Sequence, residues 1–323
     1  MQLPPALRQA IERELEGTSL ADLTRASDTL SQRYRAETRD GRLHLSDELA
    51  AKAYLATRLP ATFAAIAAAF SAAAERLPDF APHTLLDVGA GPGTATFAAS
   101  ALYPSLAEAD LLEASAPIRE IGARLGQSLA LDRVTWHPHT IADGLAKRVG
   151  ADLVVLSYVL DELAPAARTA LVEQLWSLAA GMLLIVEPGT TEGWRRILAA
   201  RDQVIALGGT IIAPCPHQQA CPLMPPDWCH FAARVARSRL HRETKSGSVP
   251  WEDEKFIYLI ATRALAPAKD APRVLAPPQA SKAGLRFKLC RTDGSLATRD
   301  VPKRDRATYK AVRKAGWGDL LPE

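Results

Sequence analysis

The sequence predicts an α/β protein centred on a parallel, Rossmann-like sheet, with a helical region before it and a small basic β/α extension after it that bears a four-cysteine metal site. Three observations carry this. From Thr84 onward, short apolar runs alternate with amphipathic segments, the pattern of parallel strands joined by crossover helices. The first of those runs, Leu85-Leu86-Asp87-Val88, passes straight into a glycine-rich turn, Gly89-Ala90-Gly91-Pro92-Gly93, that opens a helix. Three of the four cysteines, Cys215, Cys221 and Cys229, lie in one Pro-rich stretch, and the fourth, Cys290, stands in the C-terminal part.

The elements follow in order. Up to about Pro78 the periodicity is helical: Pro4 to Gly17, then Ser19 to Glu37 with Ser19 as N-cap, then a long segment from Ser46 interrupted at Pro60. Strands are expected at Thr84 to Val88, Ala109 to Leu112, Val134 to His137, Leu153 to Ser157 and Met182 to Val186. Helices fit at Gly93 to Tyr103, Pro117 to Ser128, Pro165 to Leu178 and Glu192 to Leu207. The cysteine stretch then reads as an insertion at about 209–230, before a closing strand pair at Phe231 to Val235 and Phe256 to Thr262. Beyond Pro267 come a strand at Gly284 to Cys290, a turn at Asp293-Gly294 and a helix near Arg306 to Ala315. The expected division is a helical region 1–80, a sheet domain 81–266 and a basic extension 267–323.

Hydrophobic residues make up 48% and charged residues 23% of the chain, close to globular averages, so disorder is not expected. The net charge of +3 hides an asymmetry: from Arg234 onward 20 Lys and Arg face 10 Asp and Glu, leaving 19 basic against 26 acidic residues before it. That basic C-terminal part suits a polyanion, with nucleic acid first among partners. The N-terminus has neither an apolar signal core nor an Arg-rich, acid-poor transit pattern, so a cytoplasmic location is expected. The longest apolar run, Ala61 to Ala74, falls short of the roughly 20 residues a bilayer needs, so no membrane partner is expected. The composition is silent on oligomeric state.

The glycine turn has G-x-G-x-G spacing and not the G-x-G-x-x-G of a dinucleotide fold, and no Gly-Lys-Ser/Thr follows it, which excludes a Walker phosphate loop. It resembles motif I of the class I S-adenosylmethionine-dependent methyltransferases. That resemblance implies a cofactor seated on Gly89, Gly91 and Gly93, with Asp87 positioning its ammonium group and Glu113, after the second strand, accepting the ribose hydroxyls. Asp143 in Ile-Ala-Asp-Gly either lies near the adenine or is simply a turn residue. At the fourth strand end, Ser157, Tyr158, Asp161 and Glu162 occupy the place of substrate-facing groups and are the candidates for catalytic work. Neither the Asp/Asn-Pro-Pro-aromatic motif of base-amine methylation nor a strand-end cysteine nucleophile is present. Asp161 and Glu162 also read as a helix-start pair favoured by the helix dipole.

Prolines 216, 222, 225 and 226 forbid continuous helix between the clustered cysteines and favour a loop able to wrap an ion. Four thiols suit zinc or an iron–sulfur cluster, and free cysteines can also be small buried hydrophobes. Together, Leu-Asp-Val-Gly-Ala-Gly-Pro-Gly, Ser-Tyr-Val-Leu-Asp-Glu-Leu and Cys-Pro-His…Cys-Pro-Leu…Asp-Trp-Cys-His-Phe resemble the Rsm-type methyltransferase-like proteins, a family of small-ribosomal-subunit assembly factors with mitochondrial and bacterial members. The resemblance implies a [4Fe–4S] cluster on Cys215, Cys221, Cys229 and Cys290, with zinc as the alternative, and small-subunit ribosomal RNA or a pre-ribosomal particle as partner. The family commonly has Asn where this chain has Asp161, which weakens a carried-over catalytic role there. Arg306, Lys310, Arg313 and Lys314 fall on one helical face, with Arg286, Lys288 and Arg291 nearby, a stripe suited to phosphates. Phe287, Tyr309, Trp317 and Trp228 are either base-stacking or core residues. Three functions compete: an RNA methyltransferase, a non-catalytic assembly factor with a structural cofactor pocket, and a zinc-binding small-molecule methyltransferase.

Overall fold

The computed structural model describes residues 2–36, 43–146, 148–245, 247–263, 267 and 270–322. Apolar residues at helical spacing give the N-terminal region four helices, α1 (Pro5–Leu15), α2 (Leu20–Arg35), α3 (Glu48–Thr57) and α4 (Leu59–Arg76). Ser19 precedes α2 but makes no side-chain cap bond, and Glu37 lies outside the described residues. Asp47 caps α3, its carboxylate accepting from the Ala50 N–H at 2.8 Å. The break before α4 falls at Arg58 and not at Pro60. Proline in the first helical turn lacks only an N–H that has no intrahelical partner, so it starts α4 instead of interrupting it.

The central sheet and its crossovers run β1 (Thr84–Val88), α5 (Thr94–Leu102), β2 (Glu108–Leu112), α6 (Ala116–Gly126), β3 (Arg133–His137), α7 (Ile141–Leu145), β4 (Ala151–Ser157), α8 (Pro165–Leu178), β5 (Ala179–Pro188), α9 (Thr191–Ala206), β6 (Thr210–Ala213), β7 (Phe231–Ala236), α10 (Arg239–Thr244) and β8 (Trp251–Thr262). Strand order is β3-β2-β1-β4-β5-β8-β6, with β7 paired to the first half of β8. Strands β1 to β5 pair in parallel, and β8 is antiparallel to β5, β6 and β7. Helices cover both faces, which is why β4 and β5 carry nearly unbroken Val, Leu and Ile. The expected insertion begins later than 209, because Thr210 to Ala213 form β6 against β8 and the loop proper starts at Pro214.

A second, four-stranded sheet holds β9 (Arg273–Val274), β10 (Gln279–Ala280), β11 (Gly284–Cys290) and β12 (Leu296–Pro302), followed by α11 (Arg306–Val312). The β11–β12 hairpin turns at Asp293-Gly294, where Gly294 takes φ 82 without the steric cost a side chain would bring. Val274, Phe287, Leu289, Val301, Val312 and Leu321 form its own small core. Among the described residues no single helix is long and apolar enough to cross a membrane; the bent pair α3 and α4 approaches that composition, and most of α4 is packed in the core.

Candidate cofactor pocket and thiol site

The glycine turn joins β1 to α5 at the carboxyl edge of the sheet, the usual ligand crevice of such folds. Gly89, Gly91 and Gly93 adopt φ 66, 55 and 82, left-handed values that other L-residues enter only at a cost. A Cβ at Gly89 would meet Val159 at 2.6 Å, whereas one at Gly91 would project into open space. Asp87 is fully buried beneath the turn. Its Oδ2 accepts from the Thr96 N–H and hydroxyl at 3.2 and 2.9 Å, while Oδ1 has no partner. Burial pushes its carboxyl up to about 7, against the two Thr96 bonds that pull it down. Glu113 follows β2, and its two oxygens accept from the Gly91 and Ser115 N–H groups at 2.9 and 2.7 Å, which brings it across the turn from Asp87. Asp143 is elsewhere engaged: it is exposed in the first turn of α7, where its N–H donates to the N-cap Thr140 hydroxyl and its carboxylate accepts from that hydroxyl.

At the end of β4, Ser157 pairs with Val186 and Tyr158 turns sharply at φ 59, the one non-glycine residue at positive φ among those described. The Tyr158 hydroxyl donates to Glu254 at 3.3 Å, and Arg58 grips the same carboxylate with bonds of 3.0 and 3.3 Å. Asp161 and Glu162 lie on a 3-10 turn, Leu160–Glu162, beside the buried pair Glu187–Arg196 at 2.7 Å. Burial, then the Asp161 charge, pushes Glu162 up to about 8, and His44 Nε2 stands 3.8 Å from it. Sequence reasoning missed Arg58, Glu254 and His44 because they come from the break between α3 and α4, from β8 and from the turn before α3, far from the strand end in sequence.

The cysteine loop folds back on α9 and β8, and all four cysteines line one small, largely apolar cavity, partly open to solvent. Its lining contains no Asp or Glu. Burial raises every thiol, Cys290 to about 12, and the neighbouring thiols add to the rise at Cys229 and Cys290. Four sulfurs on a single zinc ion at about 2.3 Å sit about 3.8 Å apart. Among the described residues no three His, Cys, Asp or Glu side chains are gathered to hold a metal ion in that way. His217 Nε2 lies 3.2 Å from Cys290 Sγ, beside the thiols and not in place of one. His230 instead stacks on Trp228 at 5.1 Å and meets the edge of Trp317 at 4.8 Å, bringing the C-terminal segment against the loop. Two buried arginines went unnoticed in the sequence, where nothing distinguishes a buried guanidinium from a solvated one. Arg201 binds the loop carbonyls of His217 and Gln219 at 3.1 and 2.6 Å, and Arg273 binds Pro214 and Gly318 at 3.0 and 2.7 Å.

The basic residues separate into two groups. Arg286 forks onto Asp300 at 2.7 and 3.1 Å, Lys288 pairs with Asp227, and Arg291 lies 3.7 Å from Asp293. By contrast Arg306, Lys310, Arg313 and Lys314 are exposed with no carboxylate partner among the described residues, although α11 ends at Val312 and leaves Lys314 in the turn beyond it. The aromatic candidates are packing residues: Phe287 is fully buried, Tyr309 leans on the same small core, and Trp228 and Trp317 hold His230 between them.

A parallel sheet with the antiparallel strand β8 between its fifth and sixth members, and an acid-strand–glycine turn at its carboxyl edge, defines the class I methyltransferase fold. The family described as mitochondrial small ribosomal subunit Rsm22 matches residues 48–322, and the chain belongs to it. A human relative, the mitochondrial ribosome assembly protein METTL17, is 30% identical over 286 residues, covering 83% of this chain and 62% of its own length. The fission yeast Rsm22-cox11 tandem protein 2 is 22% identical over 74% of this chain and 38% of its own. The chain thus spans less than two thirds of these relatives. Among solved structures, an O-methyltransferase family protein from Burkholderia thailandensis superposes with a TM-score of 0.47 at 14% identity, over 78% of this chain and 75% of that one.

Proposed function

We propose that this chain is a ribosome-assembly factor that uses a methyltransferase fold to bind S-adenosylmethionine, a [4Fe–4S] cluster and small-subunit ribosomal RNA, in the cytoplasm. The observation that carries the reading is the convergence of Cys215, Cys221, Cys229 and Cys290, from two distant segments, on one cavity free of carboxylates. Soft thiolate donors in that number suit a [4Fe–4S] cluster, with zinc as the alternative. The cluster would pin the loop and β11 to each other, a structural role. At the glycine turn, the unpartnered Asp87 Oδ1 suits an ammonium group, the open space over Gly91 suits close approach of a ligand, and Glu113 retains lone pairs for hydroxyl donors. When bound, the sulfonium of this cofactor supplies an activated methyl group.

Binding is favoured over catalysis because the Tyr158 hydroxyl, at the strand end, is spent on Glu254, which Arg58 also holds. One feature favours the enzymatic reading: Glu162, whose carboxyl burial and the Asp161 charge push up to about 8, lies four residues past the left-handed Tyr158, and a raised carboxyl at a strand end is the kind of group that transfers a proton. Anaerobically purified protein should be brown, hold iron and sulfide near four each per chain as a [4Fe–4S] core requires, and bind S-adenosylmethionine. It should lose the colour in Cys221→Ser. Colourless anaerobic protein containing zinc or no metal would sink the cluster, and methyl groups transferred to small-subunit RNA would replace the binding role with an enzymatic one.

A further inference from the structure

The thiol site is flanked by positive charge that no buried carboxylate among the described residues neutralises. Arg201 and Arg273 are both 1% exposed. Arg273 has no carboxylate partner among the described residues, and the carboxylate beside Arg201, Asp202, has a side chain 69% exposed to solvent. Each guanidinium also keeps a buried N–H without an acceptor, Arg201 Nε and Arg273 Nη2. Burying a cation is expensive unless an anion shares its low-dielectric surroundings. Apart from the bond from Arg201 to the solvent-exposed Asp202 at 3.0 Å, the hydrogen bonds these arginines make go to neutral backbone carbonyls of the cysteine loop and the C-terminal segment, which locate them but do not neutralise them.

Resting on the cluster reading above, we propose that Arg201 and Arg273 are the counter-charges of an anionic metal–thiolate centre and set its reduction potential. Four thiolates around a [4Fe–4S] core carry two net negative charges when oxidised and three when reduced. Fixed positive charge close by favours the more negative form and so raises the potential. The arginines are positioning and tuning residues, since the ligands are the cysteines. Arg201 lines the cavity itself, and Arg273 stands opposite Cys290 in the β9–β11 pair and binds the carbonyl of Pro214, the residue before Cys215.

The test is a redox titration of the anaerobic full-length protein with dithionite as reductant, followed by visible absorption and by the electron paramagnetic resonance of the reduced form. It compares wild type with Arg201→Gln, Arg273→Gln and the matching Lys variants at equal iron and sulfide content. Each Gln variant should shift to a more negative potential, lowering the reduced-to-oxidised ratio at fixed poise about tenfold, or about 59 mV for one electron. The Lys variants, which keep the charge but not the planar fork, should stay near wild type. Gln variants titrating with wild type, or Lys variants shifting as far as Gln, would overturn the inference. If a Gln variant does not assemble, its Lys counterpart decides: charge retained should restore assembly and potential, and failure of both overturns it. Wild-type protein holding zinc or no metal would instead fail the underlying reading.

Discussion

Asp87 is where burial and ligand binding meet. Its carboxyl is held near pH 7 by desolvation, with one oxygen satisfied by Thr96 and the other bare. A cationic ligand group beside it binds the ionised form, so S-adenosylmethionine affinity should rise as pH climbs from about 6 to 7.5, below the range of about 7.7–8.0 where an α-amino group sheds its own proton. Isothermal titration across that range checks it, and Asp87→Asn should both weaken binding and flatten the profile. The sign for stability is opposite. The folded ligand-free protein keeps the Asp87 and Glu162 protons, with carboxyls near 7 and 8, at pH values where an unfolded chain, with carboxyls near ~4, has lost them. These two groups therefore favour folding below about pH 4, and their contribution declines as pH rises toward 8.

At the scale of elements, α11 and the hairpin before it divide the basic extension into paired and unpaired charge. Arg286 and Lys288 are committed to Asp300 and Asp227, so the candidates for phosphate contact narrow to Arg306, Lys310, Arg313 and Lys314. Replacing these four with Gln should lower the magnitude of the salt slope of small-subunit RNA binding by about 3, at roughly 0.7–0.9 per phosphate contact, with little change in melting temperature. An unchanged slope in filter-binding titrations at graded salt would place the RNA surface elsewhere. Much at this scale is legible in the sequence. The strands of the parallel sheet announce themselves by their apolar runs, and Pro165 to Leu178 and Gly284 to Cys290 fall where their patterns place them. The short strand Thr210–Ala213 escapes because four residues give too little periodicity, and β12 because Leu296, Thr298 and Asp300 face solvent while the opposite face, Ala297, Arg299 and Val301, has only Val301 buried. At the candidate site, Asp87, Glu113 and the three glycines are local in sequence and therefore readable. Arg58, Glu254, Arg201 and Arg273 are brought in by tertiary contacts, which a one-dimensional pattern does not encode.

On the scale of the whole molecule, the small C-terminal sheet meets the larger body at the thiol cavity, where Cys290 of β11 faces the loop cysteines, Arg273 reaches Pro214, and Trp317 rests on His230. Metal bonds there would add to folding stability directly. Removing the metal anaerobically with a chelator should therefore lower hydrogen-exchange protection in β11 and β12 while leaving β1, β4 and β5 protected, a difference peptide-level mass spectrometry resolves. Equal loss throughout would mean that the cavity supports the entire fold. The place of β8 in the sheet also governs how the chain is made. β6 is synthesised before β8 yet touches β5 only through it, and β8 is complete only at Thr262. Until that residue has left the ribosomal tunnel, the nascent chain carries β5 as a long, apolar, open edge, the kind of surface that invites pairing with other chains. The stretch of synthesis through the cysteine loop is thus the interval in which β5 lacks the antiparallel neighbour that covers it in the finished sheet.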